Sequence, residues 1–482
     1  MSARPGEPVP GTTEQKPAVG VALVSLSLSV LLPSLGTSIV NVGLPSMAES
    51  FDASFQEVQW IVLAYLLAIT TLIVGTGRLG DVIGRRRLLL AAVLVFTTAS
   101  LLCGVAPTLE LLIASRALQG LGAAGMLALT MAFVAQTVPK ARTGSAMGLL
   151  GTMSAIGTAL GPSLGGVLIA GPGWRAIFLV NVPLGLLTLF LAHRVLPTDS
   201  REAKAGPTGF DCVGTLLLAL TLGAYALALT IEDGTFGPLN LTLMLAAVAG
   251  LTLFIVAEAR TASPLVRLGM FRDPVLSAGL ITSALVSTVM MTTLVVGPFH
   301  LSRALELDPA SVGLVMSMGP LVAALVSAAA GRAVDRLGAT RMVLVGLVGV
   351  MAGSIGLSSM PAEWGVPGYV APLVVITAGY ALFQAANNTG VMSNVRSNHR
   401  GLVSGMVNLS RNLGLITGAS VMGAVFAFAS GTSDITTARP EDIATGTRWT
   451  FAVAATLIAA GLAVAMGSQA LARRSSTPQT LP

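Results

Sequence analysis

Fourteen apolar runs, each long enough to cross a lipid bilayer, divide this 482-residue chain. They fall near 19–43, 57–77, 88–106, 109–136, 144–170, 175–195, 212–232, 238–258, 275–299, 311–331, 341–360, 366–392, 402–429 and 449–471. A hydrocarbon core about 30 Å thick needs about 20 residues of helix. In lipid a segment must satisfy its own backbone hydrogen bonds, which a helix does and an open strand does not. A membrane barrel would instead show alternating segments of about 10 residues. The chain therefore reads as an all-α polytopic membrane protein. Composition agrees, with 54% hydrophobic and only 10% charged residues, against roughly 25% charged in a soluble domain. A soluble globular protein, a disordered chain and a disulfide scaffold are excluded. The net charge of +6 is not gathered into one patch, so no nucleic-acid partner is implied. The first run is too long for a signal-peptide core and lacks a cleavage site, so it reads as a retained helix. Cys103 and Cys212 fall on different helices near opposite faces, and no disulfide is expected between them.

Cytoplasmic loops of membrane proteins carry an excess of Lys and Arg. With the N-terminus in the cytoplasm, twenty-one of the 27 basic residues lie in inside segments. Four, Arg175, Arg303, Arg439 and Arg448, lie outside, and Arg116 and Arg411 lie within helices. The bias predicts a multi-pass protein of the cytoplasmic membrane with both termini inside, which agrees with an even number of spans. The segment 431–448 reads as a polar outer loop.

The chain also repeats itself. Gly77, Arg78, Asp81, Gly84 and Arg87 recur as Gly331, Arg332, Asp335, Gly338 and Arg341, at a constant offset. One copy follows the second span and the other the tenth, as two six-helix halves would require. The expected organisation is a tail (1–18), a first half (19–195), a linker with two extra spans (196–260), a second half (261–471) and a tail (472–482). Parallel halves of this kind are a transporter signature, with the substrate path between them.

Four motifs in order then resemble the major facilitator superfamily, and within it the fourteen-span drug/proton antiporter family. The loop from Gly77 to Arg87 is similar to the motif between helices 2 and 3. Span 4 carries Arg116, Gln119, Gly120 and Gly122, similar to the family's Arg/Gln/Gly motif. Span 5 carries Gly157, Gly161, Pro162, Gly165 and Gly166, similar to the exporter motif. Span 6 opens with Trp174, Arg175, Phe178, Asn181, Pro183 and Gly185, another mark of this branch. The resemblance implies a major facilitator fold of two six-helix halves plus two inserted helices. It also implies that Arg78, Asp81 and Arg85, with Asp335 in the second copy, form a latch on the cytoplasmic side, and that Arg116 and Gln119 serve transport or proton coupling. One position departs from the family pattern, for Gly36 stands where an Asp implicated in proton coupling and cation recognition is usual.

Elementary chemistry supports several of these roles. Glycines spaced by four on span 5 share a face and let helices touch backbone to backbone. Pro162 removes a helical hydrogen bond, so this stretch is expected to serve as a hinge or seal. A charge such as Arg116 at membrane depth needs a polar cavity or a partner. Polar faces on span 1 (Ser38, Asn41), span 12 (Gln384, Asn387, Asn388) and span 13 (Asn408, Arg411) must look inward, to line a cavity or to bond helices together. All 21 acidic residues fall in loops or at helix edges. A cavity without a carboxylate favours neutral or anionic substrates over cations. No metal ligands cluster at membrane depth and no nucleotide-binding P-loop is present, so neither an enzyme, a metal, a cofactor nor ATP is expected. The reading is a monomeric secondary exporter of small amphipathic or toxic molecules, working by alternating access as a proton-coupled antiporter among membrane lipids. The alternative is a facilitator or exporter of one neutral or anionic metabolite.

Overall fold

The computed structural model describes residues 15–137, 143–196, 211–230, 237–261, 268–393, 400–431 and 438–475. Fourteen helices in it are long and apolar enough to span a membrane. They are α1 (Gln15–Phe51), α2 (Phe55–Ile83), α3 (Arg85–Val105), α4 (Leu109–Thr137), α5 (Thr143–Ala170), α6 (Ala176–Val195), α7 (Cys212–Thr230) and α8 (Pro238–Arg260). Then follow α9 (Pro274–Ala304), α10 (Pro309–Leu337), α11 (Ala339–Ser359), α12 (Gly365–Ser393), α13 (Arg400–Thr417, continued by a π turn at Gly418–Met422 into Gly423–Ser430) and α14 (Pro440–Ser475). Fourteen passes put both ends of the chain on one face, called here the terminal face. The opposite face is called distal.

Helices α1–α6 pack on one another, as do α9–α14, while α7 and α8 pair together. The repeat is visible in the backbone. α2 and α10 each span 29 residues, and α3 and α11 each span 21. Each pair is joined by a single residue, Gly84 at φ 106° and Gly338 at φ 86°. Only glycine enters that region without strain. The expected cytoplasmic loop is thus not a loop. Gly77 and Gly80 are helical, and the whole reversal is made at Gly84. At the other end of these helices Ser54 caps α2 by accepting from the Glu57 amide. Asp308 caps α10 by accepting from the amides of Ala310 and Ser311. The Ser311 hydroxyl and these amides hold the Asp308 carboxyl below the usual carboxylate range. The polar segment expected to be an outer loop is also partly helical, because α14 begins at Pro440 and contains Arg448.

The two six-helix sets meet on the distal side. The Arg303 guanidinium donates to the Glu49 carboxylate, joining the end of α9 to the end of α1. Phe55 of α2 lies 4.8 Å from Phe299 of α9 and 5.2 Å from Phe426 of α13, ring centre to ring centre. α5 crosses α10 in backbone contact. A Cβ on Gly313 would stand 2.4 Å from the Pro162 carbonyl and 2.8 Å from the Gly166 Cα. α7 lies against both sets, since Trp60 of α2 donates to Thr230 and Tyr225 bonds to Thr417 of α13. α8 is exposed over most of its length.

Gly313→Val places its side chain against backbone that cannot yield, so α5 and α10 must separate. Overpacking of this kind costs about 1–3 kcal/mol. The expected result is a lower thermal midpoint for the purified protein. Gly223→Ala is the control, because nothing lies within 4 Å of that position. An unchanged midpoint for Gly313→Val would show that the helices do not touch there.

Candidate functional site

Arg116 is buried near the distal end of α4, at 1% exposure. A bare guanidinium in an apolar interior would cost many kcal/mol, and here its Nε and Nη1 find acceptors. Nε donates to the Ile61 carbonyl at 2.9 Å, and Nη1 donates to the Gly36 carbonyl at 3.3 Å and to the Gln119 amide oxygen. The Gln119 amide nitrogen donates in turn to Ser100 Oγ at 2.7 Å. The guanidinium carbon stands 4.1 Å from the centre of the Tyr65 ring, a cation–π distance. The Tyr65 hydroxyl donates to the Pro33 carbonyl at 3.0 Å. One side chain thereby ties α1, α2, α3 and α4 together, with no carboxylate in contact. Gly36 contributes only its carbonyl. A Cβ there would find Phe96 at 3.5 Å and the Tyr65 hydroxyl at 3.8 Å, which is ordinary contact.

The second arginine is held differently. Arg411 and the amides Gln384, Asn387, Asn388 and Asn408 all line one cavity of about 240 Å³. It lies between α9, α12 and α13, in the part of the membrane nearer the terminal face. Arg411 Nε is buried there with no hydrogen-bond partner among the described residues. Asn387 is oriented by donating to the Gly279 carbonyl of α9 at 3.1 Å. Among the described residues no carboxylate lines the cavity.

Sequence reasoning missed Ser283 and Ser287, which complete the polar wall from α9. Their spacing of four on a long apolar helix was the available signal. Tyr380 also lines the cavity. The α1 residues named with this group do not reach it. Ser38 Oγ contacts the Gly157 carbonyl at 3.2 Å and binds α1 to α5, while Asn41 is buried and donates to the Thr37 carbonyl.

The exporter-motif glycines divide between two partners. Gly157, Gly161 and Gly165 pack on α1 around Leu35, Ser38 and Ile39, whereas Gly166 meets Pro309, Ala310 and Gly313 of α10. α5 remains one continuous helix through Pro162. Of the expected latch, Arg85 is half-buried and Asp335 is exposed. The side chains of Arg78 and Asp81 lie outside the described residues.

The model of the Major Facilitator Superfamily matches residues 26–419. The chain is 32% identical over 410 residues to the multidrug resistance protein Stp of Mycobacterium tuberculosis, covering 84% of this chain and 76% of that one. It is 27% identical over 407 residues to the riboflavin transporter RibZ of Clostridioides difficile, covering 84% and 88% respectively. A bacterial homologue of the human lysosomal transporter Spinster, solved in an inward-facing and unoccupied conformation, superposes with a TM-score of 0.69 at 15% identity. That superposition covers 95% of this chain and 98% of the other, and shows the shared fold. With fourteen membrane helices in this arrangement and a family match across most of its length, the chain is a multi-pass transporter of the major facilitator superfamily.

Proposed function

We propose that the protein exports small amphipathic molecules, neutral or anionic, from the cytoplasm by alternating access. The observation that carries this reading is the cavity around Arg411. It offers four amide side chains, two serine hydroxyls and a guanidinium whose Nε has no protein partner, with no carboxylate among them. An unpaired buried donor costs roughly 1–3 kcal/mol, and a substrate that brings a carbonyl, phenolate or carboxylate oxygen removes that cost. Arg116, by contrast, spends its Nε and Nη1 donors within its own helix bundle and is read as a structural centre that also serves coupling. The terminal face, which holds most of the Lys and Arg, is taken as cytoplasmic. On that assignment the chain is closed outside and its cavity lies toward the inside, ready to load. Relatives named for multidrug resistance support export. Protons are the coupling ion in this reading, the working unit is a monomer in lipid, and the latch comprises Arg78, Asp81, Arg85 and Asp335. A single specific metabolite is the second reading. It is favoured by a cavity at the small end of ligand pockets, which run roughly 300–1,000 Å³, and by a relative named for one vitamin.

Expression in an exporter-deficient bacterium, with toxicity compared across cationic, neutral and anionic compounds, tests the substrate class. Protection is expected against neutral or anionic compounds and should disappear in Arg411→Ala. Protection chiefly against lipophilic cations would overturn the charge argument. A gain-of-function variant provides a separate check. A Cβ at Gly36 meets only ordinary contacts and the Gly36 carbonyl accepts from Arg116, so Gly36→Asp brings a carboxylate into the region of Arg116 and is expected, in the same panel, to extend protection toward cations.

A further inference from the structure

His300 closes α9 at the distal mouth, in a one-turn π helix spanning His300–Ala304. Such turns are rare and recur at functional sites. The ring is buried at 3% exposure and stacks on Tyr369 of α12, with ring centres 5.6 Å apart. Its Nδ1 lies 3.1 Å from the Thr447 hydroxyl. That hydroxyl has one hydrogen, and it is donated to the Ile443 carbonyl at 2.9 Å. With that hydrogen on the Ile443 carbonyl, Nδ1 is the donor to Thr447, a tautomer assigned from the hydrogen-bond network and not observed. The lone pair of the neutral ring is then on Nε2, which is buried and has no hydrogen-bond partner among the described residues.

His300 also lines a cavity of about 100 Å³, with Met360, Glu441 and Arg448 among its other walls. Among the described residues, the charged and titratable groups beside the ring are Tyr369 of α12 and Glu441 and Arg448 of α14, while Arg303 lies on its own π turn. Met316 of α10 touches the Tyr369 hydroxyl. Arg303 makes the ion pair to Glu49 that joins the two six-helix sets on this face. A basic nitrogen without a partner and the cross-set ion pair thus sit on the same single turn of helix.

We propose that His300 is a proton-binding site that controls the outer mouth: a proton taken up from the outside at Nε2 remodels the π turn and releases Arg303 from Glu49. The proton adds to the lone pair, no bond to carbon breaks, and the ring becomes a cation with two N–H donors. That cation stands in one small cavity with Arg448, a like charge, and Glu441 is the carboxylate there that can receive the new N–H. The closed mouth suits the neutral ring, and an opened, hydrated mouth suits the charged one. Linkage then requires that a proton favour opening and that opening favour the proton. The role deepens the transport reading and rests on its outside assignment of the distal face. It gives a chain without an acid at membrane depth a titratable group coupled to its gate.

The test needs neither substrate nor transport, so it can fail or succeed independently of the export assay. Spin labels are placed at exposed Ser50, at the outer end of α1, and exposed Ser359, at the outer end of α11, in full-length protein lacking Cys103 and Cys212. Distances are read at about pH 8 and about pH 5.5, which bracket imidazole titration. In the otherwise wild-type chain the population with long separations should rise several-fold on acidification. His300→Gln and His300→Asn, the latter keeping a donor near Thr447, should hold one distribution at both pH values. Glu49→Gln, which removes the ion pair, should be open at both. A wild-type distribution that ignores pH, or variants that shift as the wild type does, would overturn the proposal. Nitrogen NMR of histidine-labelled wild-type protein covers the case in which both variants misfold. The chain has three histidines, and substitution of the other two assigns the His300 ring. A ring that stays neutral while the distances shift would also overturn it.

Discussion

A guanidinium cannot be left bare at membrane depth, and Arg116, buried, and Arg411, half-buried, are solvated in opposite ways. Arg116 is enclosed by carbonyls of α1 and α2, an amide of its own helix and the face of Tyr65. Every one of those groups belongs to the first six-helix set, so moving that set as a body leaves the cation satisfied. Arg411 instead shares a cavity with amides and hydroxyls, and part of its hydrogen-bonding capacity is unspent. The first arrangement ties four helices into one unit, and the second leaves hydrogen-bonding capacity facing a cavity. The difference follows from partners alone, since both residues are arginines in apolar helices.

The alternating access proposed above requires the two sets to separate, and the distal contacts are of a kind that permits it. Glu49 and Arg303 occupy the same position in the two copies of the repeat, so their contact lies close to the axis relating them. Around it the α5–α10 crossing is made by bare backbone at Gly166 and Gly313, where van der Waals contact gives close approach without interlocking side chains. The corresponding α2–α13 crossing is less comfortable. Gln59 presses on Gly423, where any Cβ would collide with its amide, and the side chains of Gln56 and Gln59 are buried without hydrogen-bond partners among the described residues. Unpaired buried amides oppose what the aromatic cluster of Phe55, Phe299 and Phe426 favours. Opposing contributions lower the net free energy of the seal, as the proposed alternating access requires, because a state held too firmly cannot be left.

The fold was legible because lipid imposes a length and a polarity rule on every span, and no tertiary detail is needed to apply either. The cavity on α12 and α13 was legible for the same reason, since Gln384, Asn387, Asn408 and Arg411 are too polar to face hydrocarbon. Span 1 shows the limit of that argument. Ser38 and Asn41 also turn inward, but inward there means the surface of α5, and periodicity cannot distinguish a cavity from a neighbouring helix. The junctions were misread because Gly77, Gly80 and Gly84 look alike in sequence, while the reversal of the chain falls on the last of them. His300 stood at a helix end, where a histidine is expected to meet water. Only the packing of α12 and α14 over the π turn buries it.

The inserted pair α7 and α8 shows how an addition can be accommodated without locking the halves. α7 reaches α2 through Trp60 and Thr230 and reaches α13 through Tyr225 and Thr417, one hydrogen bond to each set. Interhelical hydrogen bonds in a membrane average about 0.6 kcal/mol, because broken partners find substitutes. Two such bonds position α7 over the α2–α13 crossing, yet either can be remade as that crossing shifts. α8 contributes little to the packing, with most of its surface left for lipid. The pair therefore covers one of the two related crossings and not the other. The twofold relation between the six-helix sets, kept so closely in α2, α3, α10 and α11, is broken at the one place where the chain passes from the first set to the second.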